Sequence, residues 1–365
     1  MRKTRLIIFT NLFILLLLGI IMIYSSSCIY AQSRYNDEMF FLKKHIIFVL
    51  LGLFLMFGVM CFDYRILKQK AKPLLLLAFL LLILVLIPFI GKELGGARRW
   101  FRFGVLSFQP SEFANMALVL YIADCISRKK TIIQENFFRG MFPPLLVLVA
   151  MAVLILIQPD LGTVFALGLV VFIMFFVAGV PMRYLIFIMC LSLGFFYILI
   201  FTSAYRRARI MAFINPWQDP KRTGFQIIQS NIALGSGGLF GVGLGHSRQK
   251  LFYLPASHTD FIFSIIGEEL GLLGTLSVCF LFLNLIMQGL KVSRFAPDVF
   301  GTFLSLGIIM IIGLKAVINI GVSCGVLPPK GLPLPFISYG GSSLVFDMIG
   351  VGLILNISRF SCLLE

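Results

Sequence analysis

Long apolar stretches separated by short polar segments make up most of this chain. A transmembrane helix needs about 20 predominantly apolar residues, and ten stretches approach or exceed that length. They predict an all-α polytopic membrane protein with about ten transmembrane helices in a single integral membrane domain, 1–365. One long loop, 204–260, separates the seventh span from the eighth. The predicted spans are 6–28, 45–62, 74–91, 113–126, 143–158, 162–180, 184–203, 261–288, 299–323 and 341–357.

The composition agrees with a membrane environment. Hydrophobic residues make up 59% of the chain and charged residues 13%, and the mean hydropathy is +1.01. Soluble domains have roughly 45–50% and 25%, so a soluble enzyme, a disordered tail and a disulfide-stapled secreted module are excluded. The apolar run after Arg5 is longer than the roughly 7–15-residue core of a cleaved signal peptide. We therefore expect an uncleaved first span.

The net charge of +16 comes from 31 Lys and Arg against 15 Asp and Glu. Nucleic acid is the first partner that such a charge suggests. However, the basic residues cluster in short segments between apolar runs, which is how membrane proteins set their orientation. The short loops on the side of the two termini carry the larger share of Lys and Arg. This bias predicts cytoplasmic termini and an outer 204–260 loop, with membrane lipids and no nucleic acid as partners.

Two segments on the predicted outer side are also basic. One contains Arg98, Arg99 and Trp100, and the other is the long loop with Arg248 and Lys250. Translocating arginine clusters works against the topology, so these residues are expected to have a use. They either contact anionic lipid headgroups or bind a phosphorylated lipid, since the arginine fork matches phosphate oxygens.

Glu112, Asp160 and Asp260 each lie in a proline-marked break at the predicted outer edge of a span. Irregular backbone in a membrane survives only where protein covers it or where it lines a wet cavity, so the three breaks predict one shared cavity. The alternative for each acid is ordinary helix capping. The ionisable residues at predicted membrane depth, which are functional candidates by default, are Glu112, Asp124, Asp160, Asp260, Glu268, Glu269, Lys315 and Asp347.

Two glycine-rich segments flank these candidates. The spacing in 235–245 resembles a dinucleotide motif but lacks the strand and helix that such a motif requires, so we expect close packing of the loop instead. The segment 331–343, with Ser338, cannot begin as regular helix because of its proline and glycine residues, and it predicts a re-entrant lining of the cavity. His258 has two interpretations, proton transfer or a structural hydrogen bond.

Five motifs follow one another along almost the whole chain: Ala97–Trp100, Gln109–Glu112, Gln158–Gly162, Leu251–Gly271 and Pro333–Ser343. Together they resemble the SEDS family, the bacterial shape, elongation, division and sporulation proteins. The segments 243–250, 319–322 and 336–337 are more similar to its division branch than to its elongation branch. The resemblance implies ten spans with cytoplasmic ends, in agreement with the independent loop count.

The resemblance also implies a function. SEDS proteins of the division branch are peptidoglycan glycosyltransferases that polymerise lipid II at the outer face of the cytoplasmic membrane, at the septum. They work with a class B penicillin-binding protein, which cross-links the glycan, and with other division proteins. Asp260 matches the essential acid of the family, and Glu112 and Asp160 match polar residues of its cavity. The family commonly has Lys where this chain has Asn115, and many division members have Glu at Ala256.

The expected mechanism is inverting glycosyl transfer with Asp260 as the general base. A lipid pyrophosphate is already a good leaving group, so catalysis needs mainly alignment and charge stabilisation. A divalent cation, Mg²⁺ or Mn²⁺, could supply part of that stabilisation, and no sequence signature decides this. The predicted substrate-binding residues are Arg98, Arg99, Trp100, Glu112, Asp160, Arg248, Lys250, His258 and Ser338.

Two other functions remain open at this stage. A lipid II flippase would use the same polar cavity for passage, and ten spans with intramembrane acids suit it equally well. Against it, the acids cluster at the outer edge, and no paired broken helices mark the midplane. An inactive scaffold for the division machinery would leave the intramembrane acids without a purpose.

Overall fold

A computed structural model describes residues 1–94, 96–104, 106–251 and 253–361. These residues form twelve α-helices, and each of the ten predicted spans overlaps one of them, which confirms the helical class. The helices are α1 (Arg2–Tyr35), α2 (Phe40–Cys61), α3 (Ile66–Leu84), α4 (Pro110–Glu135), α5 (Phe142–Ile157), α6 (Leu161–Val177), α7 (Met182–Phe201), α8 (Ala204–Ile214), α9 (Phe225–Ser236), α10 (Ile262–Arg294), α11 (Val299–Ser323) and α12 (Gly341–Ser361).

Seven helical segments among the described residues are long and apolar enough to cross a membrane, by length and composition. α6 is apolar but shorter. α3 and α4 carry charges along part of their length, such as Lys68 and Asp124. The count of ten spans therefore stays a prediction. The seven segments are α1, α2, α5 with its preceding π-helical turn (Phe137–Met141), α7, α10, α11 and α12.

The helices differ in how much of their surface contacts other helices. α11 and α12 are buried along most of their length; α12 packs along α2, and α11 packs against α4 and α10. In α7, by contrast, Leu185 is the only buried residue among those described. A helix that is apolar on all sides is typical of a buried or lipid-facing position. α7 therefore lies at the periphery, and the centre of the fold is formed by α4, α10, α11 and α12.

A small antiparallel sheet follows α3 and departs from the all-helical expectation. Its strands are β1 (Lys92–Leu94), β2 (Ala97–Phe103) and β3 (Leu106–Phe108), in the order β1-β2-β3. Gly96 and Gly104 turn the chain between strands with φ of 77° and 59°. Glycine adopts positive φ without steric cost, and the aromatic residues of β2 favour an extended conformation, so the local sequence explains the hairpins.

The long connection after α7 is partly helical, with α8 and α9, and its glycine-rich segment packs against α10. The Val242 amide donates to the Glu268 carbonyl at 2.9 Å, and the Gly243 amide donates to the Glu269 carbonyl at 3.1 Å. Gly241 has φ of 82°, and a Cβ there would lie 2.1 Å from the Glu269 carbonyl oxygen. Only glycine fits this approach. The predicted close packing of the loop is thus confirmed.

Candidate active site

Four helices, α4, α6, α10 and α12, begin beside a cavity of about 200 Å³. Glu112, Asp160 and Asp260 all line it, so the prediction that the three acids share one cavity is confirmed. The segment 331–343 contributes to the lining as predicted. The other lining residues are Arg99, Trp100, Gln109, Thr163, Thr259, Gly331, Leu332, Pro333, Tyr339, Gly340 and Ser343.

The four helix ends make this cavity favourable for negative charge. The first turn of a helix has backbone N–H groups without intrahelical acceptors, and the helix dipole adds partial positive charge there. A group of helix N-termini is therefore suited to an anion such as a phosphate. The cavity thus combines three carboxyl groups with an electropositive backbone environment.

Asp260 lies two residues before the start of α10. Phe261 is the N-cap of this helix, and it makes no side-chain capping bond, so Asp260 does not serve as the cap that the alternative interpretation assumed. No hydrogen bond reaches the Asp260 carboxylate from any residue that the structure describes. Its backbone carbonyl accepts a hydrogen bond from Asn319 Nδ2 at 2.9 Å. The backbone is therefore fixed while the carboxylate is left for chemistry.

The surroundings of Asp260 raise its pKa above that of an ordinary aspartate. Burial raises the pKa of Asp260 to about 6, and the neighbouring Asp160 carboxylate acts in the same direction. The cations Arg209 and Arg99 oppose this rise. A Cβ at Gly331 would lie 3.3 Å from Asp260 Oδ2, so glycine at this position keeps space beside the carboxylate.

Asp160 both caps α6 and lines the cavity. Its Oδ1 accepts a hydrogen bond from the Thr163 amide at 3.2 Å, and its Oδ2 accepts one from Thr163 Oγ1 at 2.9 Å. Arg99 of β2 donates to the carbonyls of Gln158 and Pro159, both at 2.6 Å. The small sheet is thereby joined to the break between α5 and α6. Asp160 therefore fits both interpretations, because it caps α6 and also lines the cavity.

Glu112 pairs with a lysine that comes from a different helix. Lys315 Nζ of α11 donates to Glu112 Oε2 at 2.7 Å, to Asp347 Oδ1 at 2.9 Å and to Ser343 Oγ at 3.0 Å. Asn115, at the position where the resemblance led us to expect Lys, is buried, and its Oδ1 has no hydrogen-bond partner among the described residues. The sequence marked Lys315 and Asp347 only as intramembrane charges and did not place them at the site.

A family model described as a cell cycle protein, and named for FtsW, RodA and SpoVE, matches residues 5–362. The chain belongs to the FtsW/RodA/SpoVE family. The resemblance drawn from the motifs is thereby confirmed. Together with the seven apolar helices, membership of the FtsW/RodA/SpoVE family makes the protein an integral protein of the inner membrane.

Relatives in this family cover nearly the full chain. A Geobacter metallireducens protein named probable peptidoglycan glycosyltransferase FtsW is 46% identical over 341 residues, 93% of this chain and 90% of the relative. Stage V sporulation protein E of Bacillus subtilis is 43% identical over 348 residues, 95% of each chain.

Solved structures in the family share the fold. A chain from a structure described as "Structural coordination of polymerization and crosslinking by a peptidoglycan synthase complex" has a TM-score of 0.77, at 31% identity over 97% of both chains. The rod shape determining protein RodA of Thermus thermophilus has a TM-score of 0.72 at 29% identity, with 96% of this chain and 95% of RodA covered.

In this FtsW/RodA/SpoVE protein, His258 and Ser338 contact the segments next to the cavity without lining it. Ser338 Oγ donates to the Thr259 carbonyl at 2.6 Å and accepts from the Leu334 amide at 2.9 Å. The ring of His258 stacks on Tyr30 at 5.7 Å between centroids. Burial lowers the pKa of His258 to about 4, so the imidazole is neutral near pH 7. Both residues hold the segment that carries Asp260, and neither lines the cavity.

Three of the predicted basic residues are not at the cavity. Arg98 pairs with Glu93 within the sheet at 3.2 Å. The Arg248 side chain is exposed, and only its amide bonds Glu268, at 2.9 Å. Lys250 is buried, and a buried ammonium needs partners. It donates to Glu269 Oε1 at 2.9 Å, to the Gly245 carbonyl at 2.6 Å and to Ser25 Oγ at 3.2 Å.

Two other cations take the position near the acids. Arg209 of α8 acts on Asp260 electrostatically. Lys330 lies with its Nζ 4.1 Å from the centre of the Phe165 ring, and burial lowers its pKa against the opposing effect of Asp160. In the sequence, Arg209 was one of several basic residues of the long loop, and Lys330 was a single basic residue of a short outer loop. Their approach to the acids depends on how the long connection folds back, which no local pattern encodes.

The carboxylates at the cavity are the side chains that could bind a divalent cation. Within the described ranges, no three His, Cys, Asp or Glu side chains form a group that could hold a metal ion. Asp160 uses both carboxylate oxygens for Thr163, and Glu112 is engaged by Lys315. The divalent cation stays a prediction from the sequence.

Proposed function

We propose that the protein is a peptidoglycan glycosyltransferase that polymerises lipid II into glycan strands at the outer face of the cytoplasmic membrane, for septal wall synthesis. The name of the Geobacter metallireducens relative, probable peptidoglycan glycosyltransferase FtsW, supports the reaction class. The observation that carries the proposal is Asp260, a carboxylate without a hydrogen-bond partner in the described chain, in a cavity where four helices begin.

The proposed chemistry is a single inverting displacement. Asp260 takes the proton of the acceptor sugar hydroxyl while the oxygen attacks the anomeric carbon of the donor. The bond from that carbon to the lipid pyrophosphate breaks, and the pyrophosphate leaves with the electron pair. A general base is most effective when its pKa lies near the working pH. The pKa of about 6 leaves Asp260 largely ionised at pH 7 and a better proton acceptor than an ordinary aspartate.

The leaving pyrophosphate needs positive charge around it. The first turns of the four helices supply oriented N–H groups, and Arg99 lines the cavity as the one cation of the predicted set that the geometry brings there. Arg209 and Lys330 add charge nearby. Because these groups are fixed by the fold, they stabilise the developing charge without rearrangement during the reaction.

The position of the cavity favours this reaction over transport of lipid II. Glu112, Asp160, Asp260 and Ser343 all belong to the N-terminal ends of their helices or to the residues just before them. A site at one end of the helices suits chemistry at one membrane face, whereas transporter sites lie near the midplane between repeats. The flippase interpretation remains the alternative that the experiment must separate.

Orientation and partners complete the proposal. We expect both termini in the cytoplasm from the bias of the loop charges, and the cavity would then lie at the outer face. The match to a peptidoglycan synthase complex in which polymerisation and crosslinking are coordinated supports a cross-linking partner, a class B penicillin-binding protein at the septum with other division proteins.

The test uses purified full-length protein in vesicles with labelled lipid II, with and without the penicillin-binding partner. Glycan polymer and movement of lipid II across the bilayer are measured on the same samples. The proposal expects polymer without accelerated transbilayer movement. Transport without polymer, in the presence of the partner, would replace the enzyme by a flippase.

A further inference from the structure

Lys315 lies in a closed cluster of polar groups directly beneath the cavity. Its side chain is 3% exposed, and it joins Glu112 of α4 to Asp347 and Ser343 of α12. An ammonium has three N–H donors, and these three acceptors, at 2.7, 2.9 and 3.0 Å, use all of them. Lys315 therefore has no donor left for a substrate phosphate.

Glu112 and Ser343 are the members of this cluster that line the cavity, and Glu112 is the charged one. It lines the cavity, and within the described chain the hydrogen bond to its side chain reaches Oε2 only. The other oxygen, Oε1, is left for the cavity. A carboxylate of which one oxygen is held by a buried charge has a fixed orientation, because turning it away would cost the buried ammonium one of its two carboxylate partners.

We infer that Lys315 is a positioning residue for the polymerase reaction: it fixes Glu112 so that Oε1 accepts a hydrogen bond from a hydroxyl or amide N–H of the bound disaccharide. This inference rests on the proposed function. Asp347 and Ser343 in turn hold the ammonium in place from α12, so the three helices share one anchor.

Asn115 marks a second position from which a cation could reach Glu112. Residues i and i+3 of a helix are neighbours on one face, so residue 115 lies beside Glu112 on α4. Asn115 is buried there, with its Oδ1 unpartnered in the described structure. An ammonium introduced at this position would find Glu112 within reach. Moving the charge from α11 to α4 should therefore preserve the orientation of Glu112.

The experiment first removes the anchor. Lys315→Gln combined with Asp347→Asn takes away the ammonium together with the Asp347 carboxylate, so that Glu112, which lines the cavity, is the one charge of the cluster that stays. Removal of Lys315 alone would leave two buried carboxylates without their cation and strongly destabilise the fold. Polymerisation of lipid II by the reconstituted protein with its partner should show kcat reduced by about tenfold to 100-fold, as expected for a misplaced site group, with a smaller change in KM.

The second step relocates the charge. Asn115→Lys in the Lys315→Gln/Asp347→Asn background should recover most of the lost kcat, and Asn115→Gln in that background should not. Glu112→Gln should reduce kcat strongly in the wild type and little in the Lys315→Gln/Asp347→Asn protein, because residues that act through each other are not additive. A purely structural role would not produce this dependence. Asp124→Asn, which removes an acid paired with Arg128 elsewhere on α4, is the matched control and should leave kcat unchanged.

Full activity of the Lys315→Gln/Asp347→Asn protein would overturn the inference, as would a triple variant that also carries Asn115→Lys and is folded but inactive. Should the double variant fail to fold, the triple variant decides by itself, with thermal unfolding as the check on folding. Absence of polymer from the wild type would be a failure of the proposed function, whereas polymer from the wild type and an unaffected double variant would overturn only the role of Lys315.

Discussion

Asn319 of α11 donates from one Nδ2 group to two carbonyls, that of Asp260 at 2.9 Å and that of Leu332 at 2.8 Å. These carbonyls belong to the two irregular segments that carry the cavity, one before α10 and one before α12. A single buried amide thus ties the segment that carries the proposed base to the segment 331–343. Asn319 is therefore expected to affect the reaction by holding these two segments in place and not by contact with substrate.

Asn319→Ala should reduce polymerisation while the protein remains folded. Each buried carbonyl left without a donor costs about 1–3 kcal/mol, so the apparent melting temperature should fall as well. The measurement is the rate of glycan formation together with thermal unfolding in detergent. Asn284→Ala, at an amide oxygen that accepts a hydrogen bond from Gln288 within α10, serves as the control. Equal losses in the two variants would contradict the positioning role of Asn319.

The pH dependence of the rate should report Asp260. A general base acts in its ionised form, so the rate should fall as the pH decreases through about 6 and level off above that value. The rate falls and does not rise at low pH, because protonation of Asp260 removes the acceptor for the hydroxyl proton. Polymer formation at saturating lipid II is measured between about pH 5 and pH 8. A rate that is flat across this range would show that no group of this pKa limits the reaction.

Arg99 should tune that profile. Its positive charge lowers the pKa of Asp260, so Arg99→Gln should move the midpoint of the pH–rate curve upward. The substitution also removes the hydrogen bonds to Gln158 and Pro159, and the maximal rate should fall. Arg98→Gln, on the neighbouring residue that pairs with Glu93, should leave the midpoint in place. A downward shift for Arg99→Gln would contradict the electrostatic assignment.

Lys250 should affect stability rather than substrate dependence. Removing one partner of a buried ion pair costs about 3–5 kcal/mol, so Lys250→Ala should lower the unfolding temperature by leaving Glu269 unpaired. Arg248→Ala, with an exposed side chain, should change neither stability nor the lipid II concentration required. Titration of lipid II in neutral-lipid vesicles, together with thermal unfolding, checks both. A raised substrate requirement for Arg248→Ala would restore the pyrophosphate role expected from the sequence.

The sequence was sufficient for features that depend on local pattern. Apolar runs located the helices, and the proline-marked acids Glu112, Asp160 and Asp260 predicted a common cavity because each breaks a span at the same edge. The position of each cation relative to the cavity could not be predicted from the sequence. Lys250 and Lys330 are both basic residues of predicted outer loops. In the structure Lys250 forms an ion pair with Glu269, whereas Lys330 lies near Asp160. Which cation meets which acid depends on helix packing across the fold, as Lys315 shows for Glu112.

Asp260→Asn separates a catalytic Asp260 from a structural one. The substitution keeps size and the backbone bond to Asn319 but removes the proton acceptor. Purified variant and wild type, each with the penicillin-binding partner, are given labelled lipid II, and glycan polymer is separated by size. We expect the rate of polymer formation to fall by roughly 100-fold or more, which is the contribution of a general base. The unfolding temperature should be no lower than that of the wild type. Polymer formation by Asp260→Asn at the wild-type rate would contradict the role of Asp260 as the base.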